Sequence, residues 1–252
     1  MDMAGEYRIK KISAADQVYD QLRQLITNGT WKAGEKIPTE GQLAEEFAVN
    51  RLTVRVALQR LQAIGLLDIR VGSGTYVKEF DMCGNIQELS AFYMDATSPQ
   101  DALEYRYVIE MECARLAVER RTEEDLASYW RQYEQMENHM ARYFRAETPA
   151  SADQELVLQA DMSLEIHTIL CAMAHNALLN YAFAIAKAPL RQLMLQNVVR
   201  RMVDFETSSH WMQHYARLHD CIRERDLENT LACLKKIMSS GVPSEQGSPF
   251  CE

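Results

Sequence analysis

The sequence predicts a mainly α-helical protein built from two unlike parts: a short, turn-rich front unit carrying a small β-hairpin, and a C-terminal all-α bundle of six or seven helices. Three observations carry that prediction. Six of the ten glycines fall between Gly29 and Gly74, and none occurs between Gly84 and Gly241. Tight turns therefore belong to the front and long uninterrupted helices to the back. Charge divides at the same place: residues 1–80 have a net charge of +1, and residues 81–252 a net charge of -10, within a total of -9. Apolar residues recur at helical spacing through most of the chain, and 47% hydrophobic content is ordinary globular usage.

In the front unit, Val18, Leu22, Leu25 and Ile26 mark a helix over Ala14–Thr27 that Gly29 ends. Thr39-Glu40-Gly41-Gln42 has the form of a capping box and opens a second short helix carrying Leu43, Ala44 and Phe47. After a turn through Ala48 and Val49, Asn50 caps a third helix, with Val54, Ala57, Leu58, Leu61 and Ile64 on its apolar stripe. Arg51, Arg55 and Gln59 recur at four-residue spacing on the other face. Gly65 stops this helix, and strands over Leu66–Arg70 and Thr75–Lys78 flank a tip at residues 71–74. Helix, helix, turn, helix and hairpin is the order of a winged helix-turn-helix. Two arginines in the first turns of its third helix suit guanine edges and phosphates in a major groove.

Behind it, helices are predicted over Asp101–Arg120, Thr122–Phe144, 153–174, 176–200, 206–225 and 227–239. Pro189 is expected to kink or split the fourth of these. The organisation reads as a DNA-binding domain over 1–78, a linker over 79–98, a helical domain over 99–240 and a flexible tail over 241–252.

An acidic chain looks at first like a poor partner for DNA, but the acidic surplus lies entirely in the helical part. No signal peptide and no run of about 18 apolar residues is seen, so the reading is a soluble, cytoplasmic protein without a membrane partner. The six cysteines form no C-x-x-C pair and read as small buried hydrophobes.

Residues 13–78 resemble the winged-helix domain of the GntR family of bacterial transcriptional regulators. The likeness rests on Gly34-Glu35-Lys36-Ile37-Pro38-Thr39-Glu40, on Asn50-Arg51-Leu52-Thr53-Val54-Arg55, and on Gly72-Ser73-Gly74-Thr75-Tyr76-Val77. The resemblance implies operator contacts by Arg51 and Arg55, backbone approach by Thr39 and Thr53, and a wing of Gly72, Ser73 and Gly74 in the minor groove. One departure is Gly41, which stands where the family often has a DNA-contacting arginine.

The helical part resembles the effector-binding and dimerisation domain of the FadR subgroup, the FCD domain. The matching stretches are Asp101-Ala-Leu-Glu104-x-Arg106, His167-Thr-Ile-Leu170 and Leu218-x-x-Cys221-Ile222. Many members hold a divalent metal with one Asp and three His. Those positions fall here on Ser163, His167, Tyr215 and Ile237, so one ligand of four survives and no cofactor is required. Asp161 cannot substitute, because six residues before His167 it points about 120° away on a helix. A shifted metal pair of His167 and His219 is the alternative, and His210 with His214 is a further candidate.

The expected effector pocket is metal-free, lined by Arg106, Gln159, Ser163, His167, Tyr215 and His219. Arg106 either faces an effector carboxylate or is held internally by Glu104 or Glu110. The resulting function is a ligand-responsive homodimeric regulator, a repressor by family habit, binding a near-palindromic double-stranded operator. The rival readings are an enzyme working in the helical pocket and a winged helix that binds protein. No nucleophile and base at recognisable spacing favours an enzyme.

Overall fold

The computed structural model describes residues 12–89 and 98–239. By packing, the chain divides into two units, Met1–Asn85 and Ile86–Glu252. The tail expected over 241–252 lies outside the described residues.

In the first unit, α1 (Ala14–Thr27) begins at Ser13, whose side chain accepts from the Asp16 N–H. The predicted capping box forms at α2 (Glu40–Glu46), where Thr39 and Gln42 satisfy one another's backbone donors. Asn50 caps α3 (Arg51–Ala63) by accepting from the Thr53 N–H at 2.8 Å. The apolar stripes of these helices meet β1 (Leu67–Arg70) and β2 (Gly74–Val77) in one core of Val18, Leu22, Leu43, Val54, Leu58 and Leu61. Each such side chain contributes roughly 1.5–3 kcal/mol on burial.

Two details of the sequence reading change. Ile64 is 42% exposed, because it is the C-cap of α3 and the chain turns away at Gly65 with φ +77°. The first strand starts one residue later than expected and the second lies one residue earlier: Leu66 and Lys78 lie outside the hairpin, and Gly74 pairs with Arg70. Gly74 has φ +123°, a backbone conformation that favours glycine.

The segment expected as a plain linker contains α4 (Met82–Glu88), capped by Asp81, which accepts from the Gly84 N–H. Asn85 on α4 donates to the Ile64 carbonyl at 3.2 Å and sits against Gly65. A seven-residue helix with a single apolar turn is too short for periodicity to reveal.

The second unit holds α5 (Pro99–Arg120), α6 (Glu123–Tyr143), α7 (Pro149–Ala172), α8 (Ala177–Arg201), α9 (Phe205–Arg223) and α10 (Leu227–Ser239). Capping boxes at Ser98, Thr122 and Thr148 set the starts of α5, α6 and α7. Pro189 does not split α8, which runs through it unbroken. Packing of α8 against both α7 and α5 stabilises the helix on either side of the missing donor. Tyr129, Met136, Ile166, Leu170, Met212, Leu218 and Leu234 form the main core, and Cys113, Leu116, Phe183 and Leu190 a second one. Cys113, Cys171, Cys221 and Cys233 are buried free thiols.

Candidate nucleic-acid interface and buried polar cavity

On α3, the capping contact at Asn50 fixes the first turn, and burial of Val54, Ala57, Leu58 and Leu61 turns Arg51, Arg55 and Gln59 outward. Arg55 is gripped by Glu40 on α2: its Nε lies 2.9 Å from Oε1 and its Nη2 2.7 Å from Oε2. The fork uses two of the five guanidinium N–H groups and fixes the plane of the guanidinium. Hydrogen bonding to Arg55 holds the half-buried Glu40 carboxyl below its ordinary value, so it stays ionised at neutral pH.

Gly41 has a structural consequence. A Cβ at that position would lie 3.3 Å from Arg51 Nη2, so the absent side chain leaves the space that the Arg51 guanidinium occupies. Thr39 and Thr53 spend their hydroxyls locally, on Gln42 Oε1 and Asn50 Oδ1. Gly72 and Ser73 form the exposed wing tip beside Gly74, and Ser73 Oγ lies 3.1 Å from the Tyr76 hydroxyl. The Arg70 guanidinium stacks 4.6 Å above the Tyr76 ring, which stiffens the wing base.

In the second unit, four helices bring charged and polar groups into the interior. Arg106 and Glu110, one turn apart on α5, are 3% and 0% exposed and pair at 2.6 Å. His167 on α7 completes the cluster: Nδ1 lies 2.7 Å from Glu110 Oε2, and Nε2 lies 2.7 Å from Arg106 Nη2. The consistent tautomer carries its proton on Nδ1, toward the carboxylate, and accepts from Arg106 at Nε2. Tyr215 on α9 places its hydroxyl 3.4 Å from the same Nε2.

Burial by itself would raise the Glu110 carboxyl, but the charge of Arg106 and the hydrogen bonds around it outweigh this and hold it below its ordinary value. Burial lowers His167, reinforced by Arg106 and opposed by Glu110. At neutral pH the cluster is therefore an ion pair with a neutral imidazole.

These shifts predict acid sensitivity. Unfolded histidine titrates near 6.5 and folded His167 below it, so the unfolded state binds more protons as pH drops from about 6.5. That loss continues down through the folded value, and Glu110 adds its own at lower pH. The thermal midpoint of the helical unit is expected to fall between pH 7 and pH 4, and His167→Gln to remove the first part of the fall. A flat profile for the wild-type chain would contradict this account.

A narrow cavity of about 10 Å³, partly open to solvent, adjoins this cluster. Ser163, His167, Tyr215 and Ile237 all line it, as do Arg106, Met194, Asn197, Val198, Arg201 and Trp211. Tertiary packing thus unites the four positions where related domains carry metal ligands, but the donors do not fit a metal. Ile237 has none, Ser163 and Tyr215 offer neutral hydroxyls, and both nitrogens of His167 are engaged. Among the described residues, no three His, Cys, Asp or Glu side chains are grouped to hold a metal ion.

Two expected lining residues lie elsewhere. Gln159 is fully buried one turn before Ser163, with its amide 3.8 Å from Met212 Sδ. His219 points toward α6, its ring 5.0 Å from Trp130 and 5.8 Å from Tyr129. His210 and His214 stack edge to face on α9, with ring centroids 5.7 Å apart. The sequence reading missed Arg201, Asn197 and Trp211. Arg201 could have been suspected as a basic residue ending an apolar helix, but that position is usually a solvated helix C-terminus.

A winged helix with an outward arginine row, together with a helical domain enclosing a charged cavity, defines a DNA-binding regulator with a sensing domain. The family model described as bacterial regulatory proteins, gntR family, matches residues 14–77, and the FCD domain model matches residues 101–240. The chain belongs to the GntR family of transcriptional regulators and carries an FCD effector-binding domain. It is 37% identical over 158 residues to the HTH-type transcriptional regulator LutR of Bacillus subtilis (strain 168), covering 62% of this chain and 66% of that protein. It is 29% identical over 175 residues to the Uxu operon transcriptional regulator of Escherichia coli (strain K12), covering 68% and 64%. The chain thus spans about two thirds of the length of these relatives. The solved Streptococcus agalactiae GntR shares the fold, with a TM-score of 0.65, 22% identity and coverage of 89% and 98% of the two chains. No described helix is long and apolar enough to cross a membrane.

Proposed function

We propose that the chain is a homodimeric, cytoplasmic repressor that binds a near-palindromic operator through α3 and the wing, and that a small metabolite in the helical cavity changes its operator affinity. The observation that carries this reading is the outward row of Arg51, Arg55 and Gln59, with Arg55 held in a fork by Glu40. A preoriented guanidinium suits bidentate recognition of guanine, and two-fold symmetry would present two such helices to successive half-sites. An effector changes operator affinity only if it binds the DNA-competent and incompetent states unequally.

The cavity supports binding more than chemistry. Among the described residues, the one imidazole lining it accepts from Arg106 at the nitrogen a general base would use. For the operator contact, Arg55→Ala is expected to cost about 1–3 kcal/mol in binding. Fluorescence anisotropy on the operator duplex measures this, and unchanged affinity would sink the assignment of α3 as the recognition helix.

A further inference from the structure

We propose that Gly41 is a specificity-determining residue for the operator: its missing side chain seats the Arg51 guanidinium against the start of α2, and that seat fixes the base the arginine reads. This rests on the reading of α3 as the recognition helix and adds a residue that lies outside it.

Arg51 stands where a cation does not help the fold. It is the first residue of α3, directly after the Asn50 cap, and the first turn of that helix holds no acidic residue. The unpaired N–H groups at a helix start carry partial positive charge, so an arginine there costs stability and the helix itself does not account for it. Arg51 is exposed, and among the described residues no group accepts a hydrogen bond from it. Its five N–H donors are therefore unspent, whereas two of those on Arg55 go to Glu40.

Shape places Arg51. A Cβ at Gly41 would lie 3.3 Å from Nη2, 3.5 Å from Cζ and 3.5 Å from Nε. Such similar distances put that point over the face of the planar guanidinium, because an approach within its plane would leave Cζ clearly farther away than the two nitrogens. The edge of the group, along which all its N–H bonds point, is not covered by Gly41. The Glu40 carboxylate, one residue earlier, attracts Arg51 as well as Arg55. The first two residues of α2 thus set two arginines of α3 by different means, Glu40 by a charged fork and Gly41 by leaving room.

A guanidinium seated on its face and open at its edge suits bidentate donation to O6 and N7 of guanine, which demands a defined plane. A side chain of more than one carbon at position 41 would enter the space that the guanidinium fills and drive it to another rotamer. The backbone does not itself require glycine here: Gly41 lies in the first turn of α2 and is not among the glycines of positive φ. Substitution should therefore preserve or raise stability, since glycine is a poor helix former.

The test uses the full chain and the duplex that it enriches most strongly from a library of randomised sequences. Anisotropy gives affinity, and sequencing of the duplexes that each variant retains gives base preference. Gly41→Ala is expected to change affinity less than about twofold, because the flexible end of Arg51 can yield to a single Cβ. Gly41→Val should weaken binding at least about fivefold, the low end of what one bidentate base contact is worth. It should also relax preference at the same base position as Arg51→Ala. In an Arg51→Ala background Gly41→Val should have no further effect, since no guanidinium remains to be displaced. Thermal midpoints of the Gly41 variants are expected at or above the wild-type value, and Gly41→Leu replaces Gly41→Val if the latter folds poorly.

Unchanged affinity in Gly41→Val, relaxed preference at a position other than the one lost in Arg51→Ala, or an equal loss in the Arg51→Ala background would each overturn the proposal and leave α3 as the recognition helix. An Arg51→Ala protein unchanged in both affinity and preference would instead refute the contact by Arg51, and the seat with it.

Discussion

Replacing Glu110 with alanine is expected to destabilise the helical unit by about 3–5 kcal/mol, the usual cost of leaving a buried charge without its partner. Glu110 is fully buried, and its two carboxylate oxygens lie 2.6 Å from Arg106 Nε and 2.7 Å from His167 Nδ1. Its removal strands the Arg106 guanidinium among apolar helices and deprives the His167 Nδ1–H of its acceptor. Urea unfolding, followed by fluorescence of Trp130 and Trp211, measures the loss.

The double variant Arg106→Met with Glu110→Leu discriminates further. A buried ion pair replaced by apolar groups of similar volume is often tolerated, so the double variant should be more stable than Glu110→Ala alone. A Glu110→Ala protein as stable as wild type would show that the pair is not buried in solution.

The second large effect concerns DNA. Removing both Arg51 and Arg55 is expected to cost roughly 2–6 kcal/mol in operator affinity, from about 1–3 kcal/mol for each base-contacting arginine. The arginines share the environment of Glu40, whose carboxyl both charges lower, so the two losses need not add. The salt dependence of binding should also become shallower, by about one unit of slope for each phosphate contact removed. Anisotropy titrations over a range of salt report both quantities. An unchanged affinity and slope would place the DNA contact on another surface.

The front unit was legible almost residue by residue because its signals are local. Thr39 with Gln42, and Asn50 with the Thr53 N–H, are capping contacts within three residues, and each forms where it was expected. The apolar stripe of α3 packs as read, apart from Ile64, where the chain leaves the helix and its side chain is no longer held inward. Helix α4 escaped notice because seven residues carry too little periodicity. The continuity of α8 through Pro189 was also not local information, since packing against α7 and α5 overrides the proline's intrinsic preference.

The cavity divides in the same way. His167, Ser163 and Tyr215 were found through their positions in the family pattern, and Arg106 and Glu110 were visible as residues one turn apart on an apolar helix. Gln159 and His219 sit one turn from true lining residues. At that distance helical spacing keeps them on the same face, but the direction of each side chain depends on which neighbour it meets, Met212 for one and Trp130 for the other.

The sequence by itself determined the two-part organisation, the helix starts, the arginine row on α3 and the loss of three metal ligands. Each of these is written in residue identity or in spacing within one element. Only the tertiary structure decided that Arg106 is held by Glu110 and His167, that Glu40 grips Arg55, and that Arg201 and Trp211 face the cavity. Such pairings join residues up to 61 positions apart. They depend on how helices pack, and periodicity along a single helix carries no record of which face of another helix will lie against it.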